Sequence, residues 1–255
     1  MVAYVISIAI GNNVFSWTEL LFSLVPFFKG NRWFVETYII LIILAPFLNK
    51  VLCLLNRDSY RILLMVQLSI FSVWYSIGLS APLLDDGYGI INFITLYMIG
   101  AYLRLYAKDM QFYECKRYKF LLLFICLSLV TFVMSYFTNP YGYAYITNIL
   151  GATILFIYFM KWNIGEIKII NKISNAAFDV YFVHSDKNTS LLLIYELLGA
   201  RLVADTPWMI VHILFVIVII WGLGWCMCQF RKQLFRFSVD RILDKVNFVN
   251  KVYKI

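Results

Sequence analysis

The residues best suited to chemistry lie between Ile173 and Ser190, in ISNAAFDVYFVHSDKNTS, an apolar run that carries one of the chain's two histidines and then turns polar. The imidazole of His184 can take a proton, and Asp186, Lys187 and Asn188 can hydrogen-bond a polar ligand. A continuous membrane helix from near Ala176 would set His184 through Ser190 in hydrocarbon, where each ionised residue costs about 2.5 to 3.5 kcal/mol. Either the helix breaks beside His184 or its polar half lines a watery cavity; both arrangements occur at membrane sites that handle polar ligands. At about 100° per residue, His184 shares a face with Tyr181, Lys187 and Asn188, while Asp179 and Asp186 share another. Two roles stay open for His184. It is a base shown to a cavity, or it caps a broken helix or bonds a neighbouring span.

The other candidates are weaker. His212 lies among apolar residues in PWMIVHILFVIVIIWGLGWCMC with no carboxylate nearby, and reads as a buried, hydrogen-bonded histidine. Two histidines on separate spans, with neither an HxxxH pair nor paired carboxylates on a helix, give no reason to expect a metal centre. A glycine-rich phosphate loop and a G-x-S-x-G elbow are both missing from the sequence. Asn188-Thr189-Ser190 matches a glycosylation sequon by chance. The five cysteines, Cys53, Cys115, Cys126, Cys226 and Cys228, form neither a disulfide framework nor zinc spacing. Cys226 and Cys228 read as apolar filler.

These residues must be positioned by membrane helices. Of 255 residues 62% are hydrophobic and 14% charged, with mean hydropathy +0.79, well beyond the roughly 45 to 50% apolar content of a soluble domain. The formal charge of +8 does not signal nucleic acid, because the cations fall mainly between apolar segments. The expected fold is an all-α polytopic membrane bundle. Spans are expected at Trp33 to Leu48, Ile62 to Ser80, Tyr88 to Tyr106, Phe120 to Phe137, Tyr143 to Tyr158, Ala176 to Leu198 (interrupted) and Pro207 to Phe230. Met1 to Ile10 is too short to cross a core of about 30 Å and reads as the end of a span that starts upstream, so seven to eight crossings are expected. Phe15 to Phe28, interrupted by Pro26, reads as an interfacial segment. Glu36 is spaced to pair with Arg32 one turn earlier.

Connections 49–61, 107–119 and 161–175 and the tail from Arg231 carry 17 of the 22 Lys and Arg, while the alternate connections are poor in them. Lys29 and Arg32 are the exception. That alternation predicts a cytoplasmic C-terminus. The chain divides into a transmembrane domain, 1–230, and a basic amphipathic tail, 231–255, whose expected partner is anionic membrane lipid.

Three stretches together resemble the integral-membrane acyltransferase-3 family. Trp33-Phe34 with Tyr38 and Ala45-Pro46-Phe47-Leu48-Asn49 is similar to the family's aromatic span start and proline-asparagine exit. Leu96 to Arg104, LYMIGAYLR, is like its Tyr-x-x-Gly-x-x-x-Arg span end. Ile173-Ser174 followed by Phe178 to His184, FDVYFVH, is similar to its late Tyr-Leu-x-His signature. Asp179 stands where a small residue is usual, and Glu36 where an uncharged one is common.

The resemblance implies O-acyl transfer, usually acetyl from acetyl-CoA or another acyl-CoA, to a sugar hydroxyl of a surface polysaccharide or lipid-linked saccharide, in a bacterial plasma membrane. From the residues themselves His184 is the catalytic candidate, though the resemblance does not give it the role of the family's base, and Trp33, Glu36, Tyr38, Asn49, Tyr181, Asp186 and Asn188 are the substrate-binding candidates. Arg57, Arg61, Lys108, Lys116 and Arg117 could attract coenzyme A phosphates, or serve only as topology determinants. The family's first span carries an Arg and a His regarded as the base, and no histidine precedes His184 here. The expectation is therefore a chain lacking the N-terminal spans, inactive alone and completed by a longer frame or a separately encoded N-terminal portion. A carrier or flippase for a lipid-linked saccharide is the alternative, and a non-catalytic remnant a third.

Overall fold

The computed structural model describes residues 8, 14–24, 33–79, 85–185 and 190–246. Among the described residues every regular element is helical. The helices are α1 (Trp17–Leu24), α2 (Trp33–Leu54), α3 (Arg57–Leu68), α4 (Trp74–Ser76), α5 (Ile90–Tyr106), α6 (Arg117–Met134), α7 (Ile146–Met160), α8 (Lys168–Ser174), α9 (Ala177–Ser185), α10 (Ala200–Val203) and α11 (Met209–Val246). They fall into two compact units, a central one of Trp33–Ile164 and a flanking one of Met1–Arg32 with Gly165–Ile255.

In the central unit α2 buries only Val35, Thr37, Leu41 and Leu52, while Ile39, Ile40, Ile42, Ile43, Phe47 and Val51 are exposed. A helix apolar all round with most of its surface uncovered suits hydrocarbon, where intrahelical bonds satisfy the backbone and lipid takes the side chains. On α6 the buried residue is Phe120 alone. Asn56 starts α3 by accepting the Ser59 N–H at 2.8 Å, with Asp58 in the first turn. A π-helical turn, Ser69–Val73, carries α3 into α4. The Ser76 hydroxyl there donates to Ser72 O and accepts the N–H of Ile146, one of the donors that the first turn of α7 cannot satisfy itself.

Leu52, Tyr60, Leu64, Met98 and Tyr102 form the core among α2, α3 and α5, and Leu103, Phe120 and Ile157 extend it to α6 and α7. This antiparallel packing collects Lys50, Arg57, Arg61, Arg104, Lys108, Lys116, Arg117, Lys119 and Lys161 at one end. The described residues of the other end include Glu36, Asp85 and Asp86 and no Lys or Arg.

The flanking unit is built on α9 against α11. Ala176, Val180, Val183, Val216, Ile220 and Cys228 form its core, with Leu193, Ile194, Leu198 and Trp221 packed on it. A π-helix, Leu191–Leu197, is followed by Gly199 at φ +64, a left-handed stop that glycine adopts without steric cost. The boundary expected at 230–231 lies within α11.

Among the described residues four helices are long and apolar enough to cross a bilayer: Trp33–Leu54, Ile90–Asp109, Arg117–Met134 and Met209–Phe235. The three other full crossings expected are made of shorter pieces. Residues 57–76 run as α3, the π turn and α4 in succession; α7 is apolar but has 15 residues; the described residues of 176–198 include α9 and the π-helix, with 186–189 outside the described residues. Most of Met1 to Ile10, the end of the interfacial segment and the Arg32 partner proposed for Glu36 lie outside the described residues.

Candidate functional site

The arrangement around His184 follows from one stripe of α9. Ala176, Asp179, Val180 and Val183 recur at i, i+3, i+4 and i+7, and all four are buried. Gly224 of α11 meets that stripe: a Cβ there would lie 2.4 Å from Val180 Cγ2 and 2.7 Å from Val180 Cα, so the glycine is what lets the two backbones approach. Beside it the carboxylate of Asp179, 4% exposed, receives a fork from Arg231, with Nε donating to Oδ1 at 3.0 Å and Nη2 to Oδ2 at 2.9 Å. The Cys228 thiol donates to Asn175 O at 3.5 Å. A charge-assisted bidentate pair fixes orientation as well as distance.

With that stripe turned to α11, His184 stands on the exposed flank. Its Nδ1 lies 2.7 Å from Val180 O. A carbonyl only accepts, so Nδ1 carries the hydrogen and the lone pair is left on Nε2, the tautomer that can accept a proton from a hydroxyl. Tyr181 packs edge-on against the ring at 6.0 Å between centroids. His212 bonds through Nε2 to Leu198 O at 2.7 Å and is half-buried, which ties α11 to the end of the π-helix. Asp186 and Asn188, like Lys187, lie outside the described residues.

The remaining candidates sit in the central unit. Trp33 meets Tyr88 at 4.5 Å and Tyr143 at 5.2 Å, and Tyr88 meets Tyr143 at 5.1 Å. Phe34 touches Trp33 and stacks on Tyr38, which is exposed. This cluster is held by the backbone beneath it. The Thr37 hydroxyl lies 2.7 Å from Trp33 O and 3.4 Å from Tyr88 O, and Asn92 Nδ2 donates to Gly87 O at 2.9 Å. Gly87, at φ +89, abuts Ala144 N so closely that a Cβ would lie 2.3 Å from it. Tyr75 donates to Asp86 Oδ1 at 2.6 Å alongside. Glu36 is half-buried on α2.

Asn49 lies elsewhere. Sixteen residues further along α2, about 24 Å at 1.5 Å per residue, its Oδ1 accepts the Tyr97 hydroxyl at 2.7 Å. The proline-asparagine exit and the Tyr-x-x-Gly-x-x-x-Arg stretch are thus joined through their own signature residues. At this cationic end Arg57 covers Tyr106, Arg117 covers Tyr158 and Trp162, and Lys161 covers Tyr113 while donating to its carbonyl. Lys108 and Lys116 are exposed.

Sequence reasoning missed Arg231, Gly224, Tyr88 and Tyr143. An aspartate within an apolar run signals a required partner, but nothing local points to an arginine 52 positions away. Among the described residues no three His, Cys, Asp or Glu converge as metal ligands would. A family model described as an acyltransferase domain matches residues 1–228. No curated protein and no solved structure matches the chain.

Proposed function

Since the chain belongs to the acyltransferase-3 family, we propose that this membrane acyltransferase moves an acyl group, acetyl in the first instance, from an acyl-CoA to a hydroxyl of a cell-surface saccharide. The observation that carries the reading is the 2.7 Å approach of His184 Nδ1 to Val180 O, which turns the ring's Nε2 away from that bond on the exposed flank of α9. In the proposed step Nε2 takes the proton of the acceptor hydroxyl as its oxygen attacks the thioester carbonyl. The new C–O bond forms, the C–S bond breaks, and the proton passes from the imidazolium to the departing thiolate.

The ends of the central unit support a division of labour. Cations are the groups that attract the phosphates of coenzyme A, and they are gathered at the end away from Trp33. The cluster of Trp33, Tyr88 and Tyr143, with Asp86 nearby, offers rings and a carboxylate suited to a sugar. By the positive-inside rule the cationic end is cytoplasmic, which is where the thioester is supplied.

The test is transfer of labelled acetyl from acetyl-CoA in vesicles that carry the purified chain, alone and together with a separately supplied N-terminal portion of the family, with and without surface polysaccharide. Expected are acceptor-dependent label transfer and thioester consumption, both lost in His184→Ala and in His184→Gln. Movement of a lipid-linked saccharide across the vesicle with no thioester consumed would replace this reading with a carrier.

A further inference from the structure

We infer that Arg231 is a positioning residue for the site at His184, acting through its two-pronged grip on Asp179. The inference rests on the role given to His184 above. The described turns of α9, Ala177–Ser185, bury one stripe against α11. Its position comes from α11, through contacts that divide the task. Gly224 against Val180 sets how closely the two helices approach, and Cys228 with Asn175 holds the entrance to α9. Apolar packing of this kind is less directional than a hydrogen-bonded fork.

The fork resists rotation of α9 about its own axis. The guanidinium's N–H donors share its plane, so turning the carboxylate breaks at least one of the two prongs, at 3.0 and 2.9 Å. Asp179 precedes His184 by five residues, about 140° round the same helix at roughly 100° per residue, so the two side chains turn together. With side chains reaching about 5 to 6 Å from a helix axis, a rotation of roughly 10° carries the His184 ring about 1 Å. A displacement of that size costs on the order of 100-fold in a proton-transfer geometry.

Its contacts also set Arg231 apart from an ordinary topology determinant. A cation whose task is to mark the inner side extends its head into water. The Arg231 side chain is 41% exposed, yet its guanidinium is directed at a carboxylate whose side chain is 5% exposed. A buried ion pair adds little stability over apolar packing of the same volume, so what this one supplies is orientation. Lysine, a point charge without a planar fork, keeps the attraction and loses the orientation.

The deciding experiment compares the full chain with Arg231→Lys and Asp179→Asn in detergent. Spin labels at positions 178 and 223, in a background where the exposed cysteines are replaced and buried Cys228 is kept, report the distance between α9 and α11. A narrow distribution is expected for the parent and one at least twice as wide for each variant. Acetyl transfer should show kcat falling roughly 10- to 100-fold with the acceptor KM unchanged. Nitrogen shifts of labelled histidine should still show the Nδ1–H tautomer at His184, which demonstrates that α9 remains folded. If either variant fails to insert, Asp179→Asn with Arg231→Gln, whose amides can pair without charge, takes its place. An unchanged distance distribution, or KM and kcat changing together with a lost tautomer, overturns the inference. Were the parent to transfer nothing even with the N-terminal portion supplied, the acyltransfer reading would fall while the distance measurement still decides the positioning role.

Discussion

Two glycines one residue apart on α11 offer an internal control for the packing that holds the His184 helix. Alanine at Gly222 meets nothing within 4 Å, so the substitution changes only helix propensity and should stabilise by up to about 1 kcal/mol. Alanine at Gly224 gains the same propensity but sets its Cβ 2.4 Å from Val180 Cγ2, 2.7 Å from Val180 Cα and 2.8 Å from Val180 N. The methyl group of Val180 can turn away; its backbone cannot. Ordinary contact begins at 3.4 Å, so the helices must part by about 0.7 Å, the shortfall of the 2.7 Å approach. Overpacking of this kind costs about 1 to 3 kcal/mol. A retreat of that size also stretches the 2.9 and 3.0 Å prongs of the Asp179–Arg231 fork past hydrogen-bond length. Equilibrium unfolding of the detergent-solubilised protein should place Gly224→Ala below Gly222→Ala by about 1 to 3 kcal/mol. Val180→Ala should not rescue it, because the backbone contacts remain. Equal stability of the two glycine variants would refute the close approach.

A reporter that works only outside the cytoplasm should be active when fused after Asp85 and silent after Lys116, because the cations of the central unit lie at the end opposite Asp85, and silent after Lys245, because the tail from Arg231 carries seven Lys and Arg. Activity of the Lys116 fusion would invert the assignment of donor and acceptor ends. The hydrogen bond from Tyr97 to Asn49 should give a coupling of about 1 kcal/mol in a double-mutant cycle of Tyr97→Phe and Asn49→Ala. Additive losses would show that the two signature residues are neighbours without an energetic link.

What the sequence makes legible here is whatever repeats locally. The long apolar runs of α2, α5, α6 and α11 announce themselves because a bilayer helix must satisfy its backbone internally and can leave its side chains to lipid, so composition alone marks it. Pairings between distant segments were not legible. Asp179 and Arg231 read separately as an anomaly within a span and as the first cation of a tail, and only the crossing of α9 over α11 at Gly224 turns them into a pair. Trp33 was visible as the aromatic start of a span, but Tyr88 and Tyr143 reach it from two connections whose register depends on the tight turn at Gly87. The π turn at Ser69–Val73 likewise has no local signature, since Ser69, Ile70 and Phe71 would suit an ordinary helix. The same distinction bears on the tail. Screening by salt removes most of the effect of cations that merely face an anionic surface, but it barely reaches a guanidinium locked on a buried carboxylate. Arg231 and its exposed neighbour Lys232 are therefore adjacent in sequence and of two classes in physics, with the fork to Asp179 setting the first apart.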